Sequence, residues 1–180
     1  MLQVLRRQGA LVFARTNVPQ TMLSYECSNP VFGQSLNPHS HLRGPGGSSG
    51  GEGSLIGSNG SLLGIGTDIG GSLRIPAAFS GCCGFKPTCG RVSSAGLTSA
   101  VPGQEGIRST AGPMAREVDG LVLVLRALLG GGHMHALDPT VPDKPFDDAK
   151  YPFRLTDPQE TNGETTQPMQ VRGGGGGGGR

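Results

Sequence analysis

Apolar positions along the chain come in short blocks separated by glycine, proline and serine, and the blocks change period. Leu2 and Leu5 with the Arg6-Arg7 pair predict the end of a helix over residues 2–8, punctuated by Gly9. Ala10 to Ala14 is an unbroken apolar run, the pattern of a buried strand. Residues 16–37 predict an irregular segment with one short helix, bounded by Pro19 and Pro30. A glycine- and serine-rich stretch follows at 44–54. Ser48 or Ser49 is a natural N-cap there, with Glu52 near the first turn of a helix that continues through 55–58. Residues 62–68 predict a second buried strand, which runs into a glycine turn and a helix at 69–76. Residues 84–88 and 90–93 predict short strands and turns. The clearest helix spans 113–129, with Val118, Leu121, Val122, Leu125 and Leu128-Leu129 at three- and four-residue spacings, Pro113 in the first turn and Gly130 to Gly132 at the end. Strands alternating with helices predict an α/β fold. The pattern becomes proline-rich and polar from Asp138, so residues 1–155 are read as a partial domain and 156–180 as a disordered polar tail.

Composition narrows the class. The chain has 180 residues, enough for one domain with a hydrophobic core. Glycine accounts for 33 of them, far above the usual ~7 %, with no collagen period; outside the run Gly173 to Gly179 these glycines read as shaping a site. Net charge is only +2 and aromatics are 4 %, so the basic stripe with stacking rings of a nucleic-acid binder is missing. The longest apolar run, Leu121 to Leu129, is interrupted by Arg126 and falls short of the ~20 residues a bilayer needs. The N-terminus lacks the order of a signal peptide, and Cys27, Cys82, Cys83 and Cys89 show no disulfide framework spacing. Both point to reduced thiols in an intracellular compartment.

Two clusters carry the candidate chemistry: Gly46 to Gly51, containing Ser48 and Ser49, and Gly66 to Ser72. Ser72 lies 24 residues after Ser48, room for a helix and a strand, so both turns can meet at one sheet edge. A serine nucleophile needs an exposed hydroxyl, a route for its proton and donors for an oxyanion. Successive backbone N–H groups at Ile69, Gly70, Gly71 and Ser72 can form such a nest, because glycine tolerates φ > 0 and close approach. A hydroxyl both donates and accepts, so Ser48 can relay a proton from Ser72.

In these paired serine clusters the sequence resembles the amidase signature family of serine hydrolases, nearest to its fatty-acid amide hydrolase branch. Thr16-Asn17-Val18-Pro19-Gln20, Cys27-Ser28-Asn29-Pro30, Pro45 to Gly53, Gly66 to Arg74, Gly84-Phe85-Lys86-Pro87-Thr88 and Leu137 to Pro142 carry the resemblance. It implies a mixed sheet with helices on both faces, incomplete here because the family's sheet is larger than about 150 residues supply. It also implies that Ser72 is the acyl-forming nucleophile and that Ser48 is a bridging serine preceded by a cis peptide. Ile69, Gly70, Gly71 and Ser72 would be the oxyanion amides, with Met22 and Ser24 lining the substrate site. Leu23 stands where the branch has an aromatic. The implied substrate is a small lipid amide or ester, with no metal and no organic cofactor. Membrane association would belong to segments outside this chain, and a homo-oligomer is possible. The family's general base is a lysine upstream of the bridging serine. The lysines here are Lys86, Lys144 and Lys150, and all three follow Ser48. The chain therefore reads as an internal fragment with little activity of its own, Lys86 being a weak substitute base.

Rival readings rest on less. Gly64 to Gly70 nearly spells a dinucleotide loop, but its last glycine arrives one residue late. His39 with His41 and His133 with His135 are spaced pairs without further ligands at helical spacing. A triad of Ser72 with His133 or His135 needs those residues at the sheet edge. Arg74 invites a carboxylate partner, either Asp68 or Glu52. A non-catalytic product that binds a homologous chain remains the alternative to an enzyme.

Overall fold

The computed structural model describes residues 1–99, 103–104 and 106–150; the tail predicted from 156 onward, and the boundary at 155, lie outside the described residues. A three-stranded antiparallel sheet has the order β3-β5-β4, where β3 is Leu63–Asp68, β4 Cys83–Gly84 and β5 Thr110–Ala115. A two-residue hairpin, β1 (Ser28–Asn29) with β2 (Gly33–Gln34), stands apart from it. Helices cover both faces. On one face lie α2 (Gly50–Gly57) and α3 (Arg74–Ser80), enclosing Ile56, Leu73, Ala77 and Met114. On the other lie α1 (Leu2–Arg7) and α4 (Val118–Leu129), where Val4, Val92, Val124 and Leu128 pack with Leu63 and Ile65 of the strand. The alternation within β3 explains this split. Leu63 and Ile65 point to α4, while Gly64 faces α2, and a Cβ on Gly64 would fall 1.7 Å from Glu52 Oε1. Only glycine lets the helix side chain lie flat on the strand.

Among the described residues β3 is an edge strand, and several of its outward polar groups are occupied. Pro113, opposite Ile65, turns its carbonyl to the Phe85 amide at 3.0 Å, so the groups of Leu63, Ile65 and Thr67 face away from β5. Ser61 Oγ donates to Leu63 O at 2.7 Å, and Thr67 N–H donates to Ser49 Oγ at 3.1 Å. Side chains stand where a neighbouring strand would.

Two predicted elements differ. Residues 10–14 form no strand, and Leu11, Val12 and Phe13 are 86 %, 49 % and 64 % exposed. The run is apolar enough for a buried strand, but among the described residues no strand pairs with it. The predicted helix 113–129 divides: Thr110–Ala115 is strand, and the helix starts at Val118 after Glu117 in extended conformation. Pro113 is tolerated in β5 because its missing N–H lies on the same side as its carbonyl, beyond the end of the short β4. Val118–Leu137 is long and apolar enough to cross a membrane by length and composition. It is broken at Gly131 and Gly132, both at positive φ, and its apolar face is buried on the sheet, as in a core helix.

Leu128 is fully buried while Leu123, on the same helix, is 45 % exposed. Leu128→Ala should cost about 2–5 kcal/mol in urea unfolding and Leu123→Ala about 0.5 kcal/mol or less; equal costs would contradict the packing of α4.

Candidate active site

The turn from β3 into α3 is organised by one carboxylate. Asp68 is completely buried at the end of β3. Its Oδ1 accepts from Gly71 N at 2.8 Å and from Arg74 Nη2 at 3.0 Å, and its Oδ2 from Arg74 Nε at 2.9 Å and from the amides of Leu73 and Arg74 at 3.3 Å. Of the two partners the sequence offered Arg74, the structure selects Asp68. Burial alone would raise the Asp68 pKa, but the Arg74 bonds and the three amides outweigh it and hold the carboxyl below its ordinary value.

The second turn meets the first directly. Ser49 N–H donates to Ser72 O at 2.8 Å, and Ser48 and Ser72 are both buried. The Gly47–Ser48 peptide is cis, as the resemblance implies. Ser49 occupies the N-cap position of α2, but its hydroxyl bonds Thr67 of β3 rather than the helix. Ser49 is thus a stitch between the two serine turns, a role the capping pattern alone did not show.

The expected oxyanion donors are not equivalent. Gly71 spends its N–H on Asp68, and Ile69, Gly70 and Ser72 remain on the turn around it. Met22 and Ser24 lie in a loop entered through a one-turn 3₁₀ helix, Gln20–Met22, with Thr21 and Met22 at positive φ. The loop reaches both turns. A Cβ on Gly47 would fall 2.5 Å from Ser24 O, and Tyr25 Oη donates to Gly70 O at 3.4 Å. Met22 is half-buried, while Ser24 and Leu23 are exposed. Tyr25 is a neighbour of the oxyanion turn that sequence reasoning missed; its only signal was its place one residue after Ser24.

Asn17 anchors this loop. Its carbonyl accepts from Gly51 N at 3.1 Å and Cys27 Sγ at 3.2 Å, and its side chain bonds Gly33 O and Ser35 Oγ. All four cysteines are free, and burial raises the pKa of Cys82 to about 11.

Other sequence candidates lie elsewhere. Lys86 Nζ donates to Pro87 O at 3.4 Å and contacts Cys89 Sγ at 3.8 Å. His39 Nε2 bonds Ser80 O at 2.9 Å. His133 and His135 sit on α5 (His133–Leu137), whose Met134 packs on the α4 side of the sheet, and His135 Nδ1 bonds Val141 O at 2.8 Å. A triad with Ser72 gains no support from that placement.

Residues 1–162 match the family model described as Amidase. The chain belongs to the amidase family. It is 57 % identical over 151 residues to fatty-acid amide hydrolase 1 of Sus scrofa, covering 84 % of this chain and 26 % of that protein. To the vitamin D3 hydroxylase-associated protein of Gallus gallus it is 54 % identical, covering 84 % of this chain and 32 % of that protein. Among solved structures, a fatty acid amide hydrolase superposes with a TM-score of 0.79 at 42 % identity, over 82 % of this chain and 26 % of that one. A bacterial aryl acylamidase gives 0.67 at 32 % identity, over 81 % and 29 %. The chain therefore spans between a quarter and a third of the length of these relatives.

Asp68 also sets an acid limit. Its folded pKa lies below the ordinary 3.8, so the stability it contributes is present above that value and is lost as pH falls through the folded pKa. Asp68→Asn should cost about 1–3 kcal/mol near neutral pH, by leaving buried donors short of an acceptor, and should flatten the acid limb of the unfolding midpoint below about pH 4. An unaltered acid limb would remove Asp68 from this role.

Proposed function

We propose that this chain carries the acylating centre of a serine amidase acting on fatty-acid amides or esters. The observation that carries the reading is the contact of the two serine turns through Ser49 N–H and Ser72 O, beside a glycine turn held by Asp68. Identity to fatty-acid amide hydrolase 1 supports the substrate class. Ser72 Oγ attacks the acyl carbonyl carbon and its proton passes to Ser48 Oγ, which releases its own. The amides of Ile69, Gly70 and Ser72 receive the oxyanion. The carbon–nitrogen bond then breaks, the amine leaves with a proton, and water hydrolyses acyl-Ser72.

The relay needs an acceptor. Lys86, Lys144 and Lys150 all follow Ser48, and Lys86 bonds Pro87. Within these 180 residues the proton goes to solvent, without the ~10²–10⁴-fold that a positioned base supplies. A fluorophosphonate probe followed by peptide mapping tests both parts. Adduct should form on Ser72, slowly, with a rate climbing ~tenfold per pH unit across about pH 7 to 9. A plateau near neutrality would reveal an internal base. No Ser72 adduct at any pH, or an equal adduct in Ser72→Ala, removes Ser72 as nucleophile.

A second reading, a non-catalytic product that binds a homologous chain, is favoured by the exposure of Leu11, Phe13, Val31, Phe32 and Leu62. Concentration-dependent elution in gel filtration supports it; a monomer at every concentration counts against it.

A further inference from the structure

We propose that Glu52 is a positioning residue, whose carboxylate fixes how the Ser48 turn and the Ser72 turn stand relative to each other. This rests on the acyl-Ser72 reading for its catalytic meaning, and on geometry for its existence. Ser49, the N-cap of α2, and Glu52 in its first turn are three residues apart on one face, and both side chains reach β3. Ser49 holds Thr67, one residue before Asp68. Glu52 lies across Gly64, where a Cβ would meet its Oε1, and the Ile65 amide bonds the same carboxylate. Its Oε2 accepts from Thr16 Oγ1 at 2.7 Å.

These contacts join the three parts that make the site. α2 follows directly from Ser48, β3 leads into Asp68 and Ser72, and Thr16 adjoins Asn17, the anchor of the chain that carries Met22 and Ser24. One side chain touches all three, and it is a half-buried acid. Burial raises its pKa above the ordinary 4.5, and the Thr16 and Ile65 donors only partly offset that. The titratable neighbour on the α3 side is the Cys82 thiol, itself raised by burial and by Glu52. A raised carboxyl contributes stability below its ordinary pKa and loses it as pH rises through the folded value. At neutral pH the charge works against folding, so its benefit lies in geometry rather than stability. A glutamine of the same shape has one acceptor oxygen in place of two, so serving Ile65 with it turns its NH2 on Thr16 Oγ1, which must then accept instead of donate.

The test compares the 180-residue chain with Glu52→Gln and Gly64→Ala, the latter displacing the carboxylate from the strand. Three quantities are read: amide hydrogen exchange at Ser49, Thr67 and Leu125, the Tm at neutral pH, and the rate of fluorophosphonate adduct at Ser72. Protection at Ser49 and Thr67 should fall roughly tenfold or more in both variants while Leu125 is unchanged. The Ser72 rate should fall about 10–100-fold. The Tm of Glu52→Gln should be equal or higher. Unchanged protection at Ser49 and Thr67 in folded Glu52→Gln overturns the proposal, and so does a lowered Tm with protection lost evenly, including at Leu125, which marks a merely structural residue. If the parent chain forms no Ser72 adduct, the nucleophile reading fails, and the exchange data still decide the role of Glu52.

Discussion

A buried carboxylate cannot stay charged without donors, and at Asp68 that requirement shapes the whole centre. Three backbone amides and a forked guanidinium converge on it from the six residues that follow. Satisfying them bends the chain out of β3 and into α3 along a single path, and Ser72 lies on that path. Arg74 is half exposed and contributes chiefly as a shaped donor, since an ion pair open to water adds little by charge alone. Gly71, at φ +117°, is what lets its amide turn inward to the carboxylate. The oxyanion turn and the acid anchor are the same few residues.

The second constraint is closeness. α2 approaches β3 near enough that side chains of the helix bond the backbone of the strand. That approach needs glycine on the strand at Gly64, while Gly51 lets the helix meet the Asn17 segment, where a Cβ would lie 2.4 Å from the Asn17 nitrogen. Many of the glycines between Gly44 and Gly84 are therefore contact surface between elements. Closeness also explains why α2 is short and small-sided, with Ile56 as its fully buried large residue.

Local signals announced the elements whose pattern is complete within a few residues. β3, α2, α3 and the core stripe of α4 follow from period and from glycine placement, and the two serine turns were legible as a pair. Signals that depend on distant chain were misleading. The run Ala10 to Ala14 has strand composition, but pairing is a property of two segments. Pro113 suits a first helical turn equally well as a strand position whose N–H is not needed, and only the register with Ile65 and Phe85 distinguishes the two. Ser49 and Glu52 both read as ordinary first-turn residues; that they turn to β3 instead depends on the closeness of α2 to the strand. Tyr25 reaches Gly70 across a loop of unusual backbone, which no spacing rule describes.

The occupied rim of β3 governs how this chain can meet another. With the Leu63 carbonyl and Thr67 bonded to hydroxyls and the Ile65 amide to a carboxylate, side chains stand in the path of an incoming polypeptide that would extend the sheet. Growth into stacked ribbons by backbone zippering has to displace those side chains on that side. Association through exposed side chains such as Leu11 and Phe13 needs no such displacement, and it is a mode that depends on shape matching and that dilution or a few polar replacements can undo.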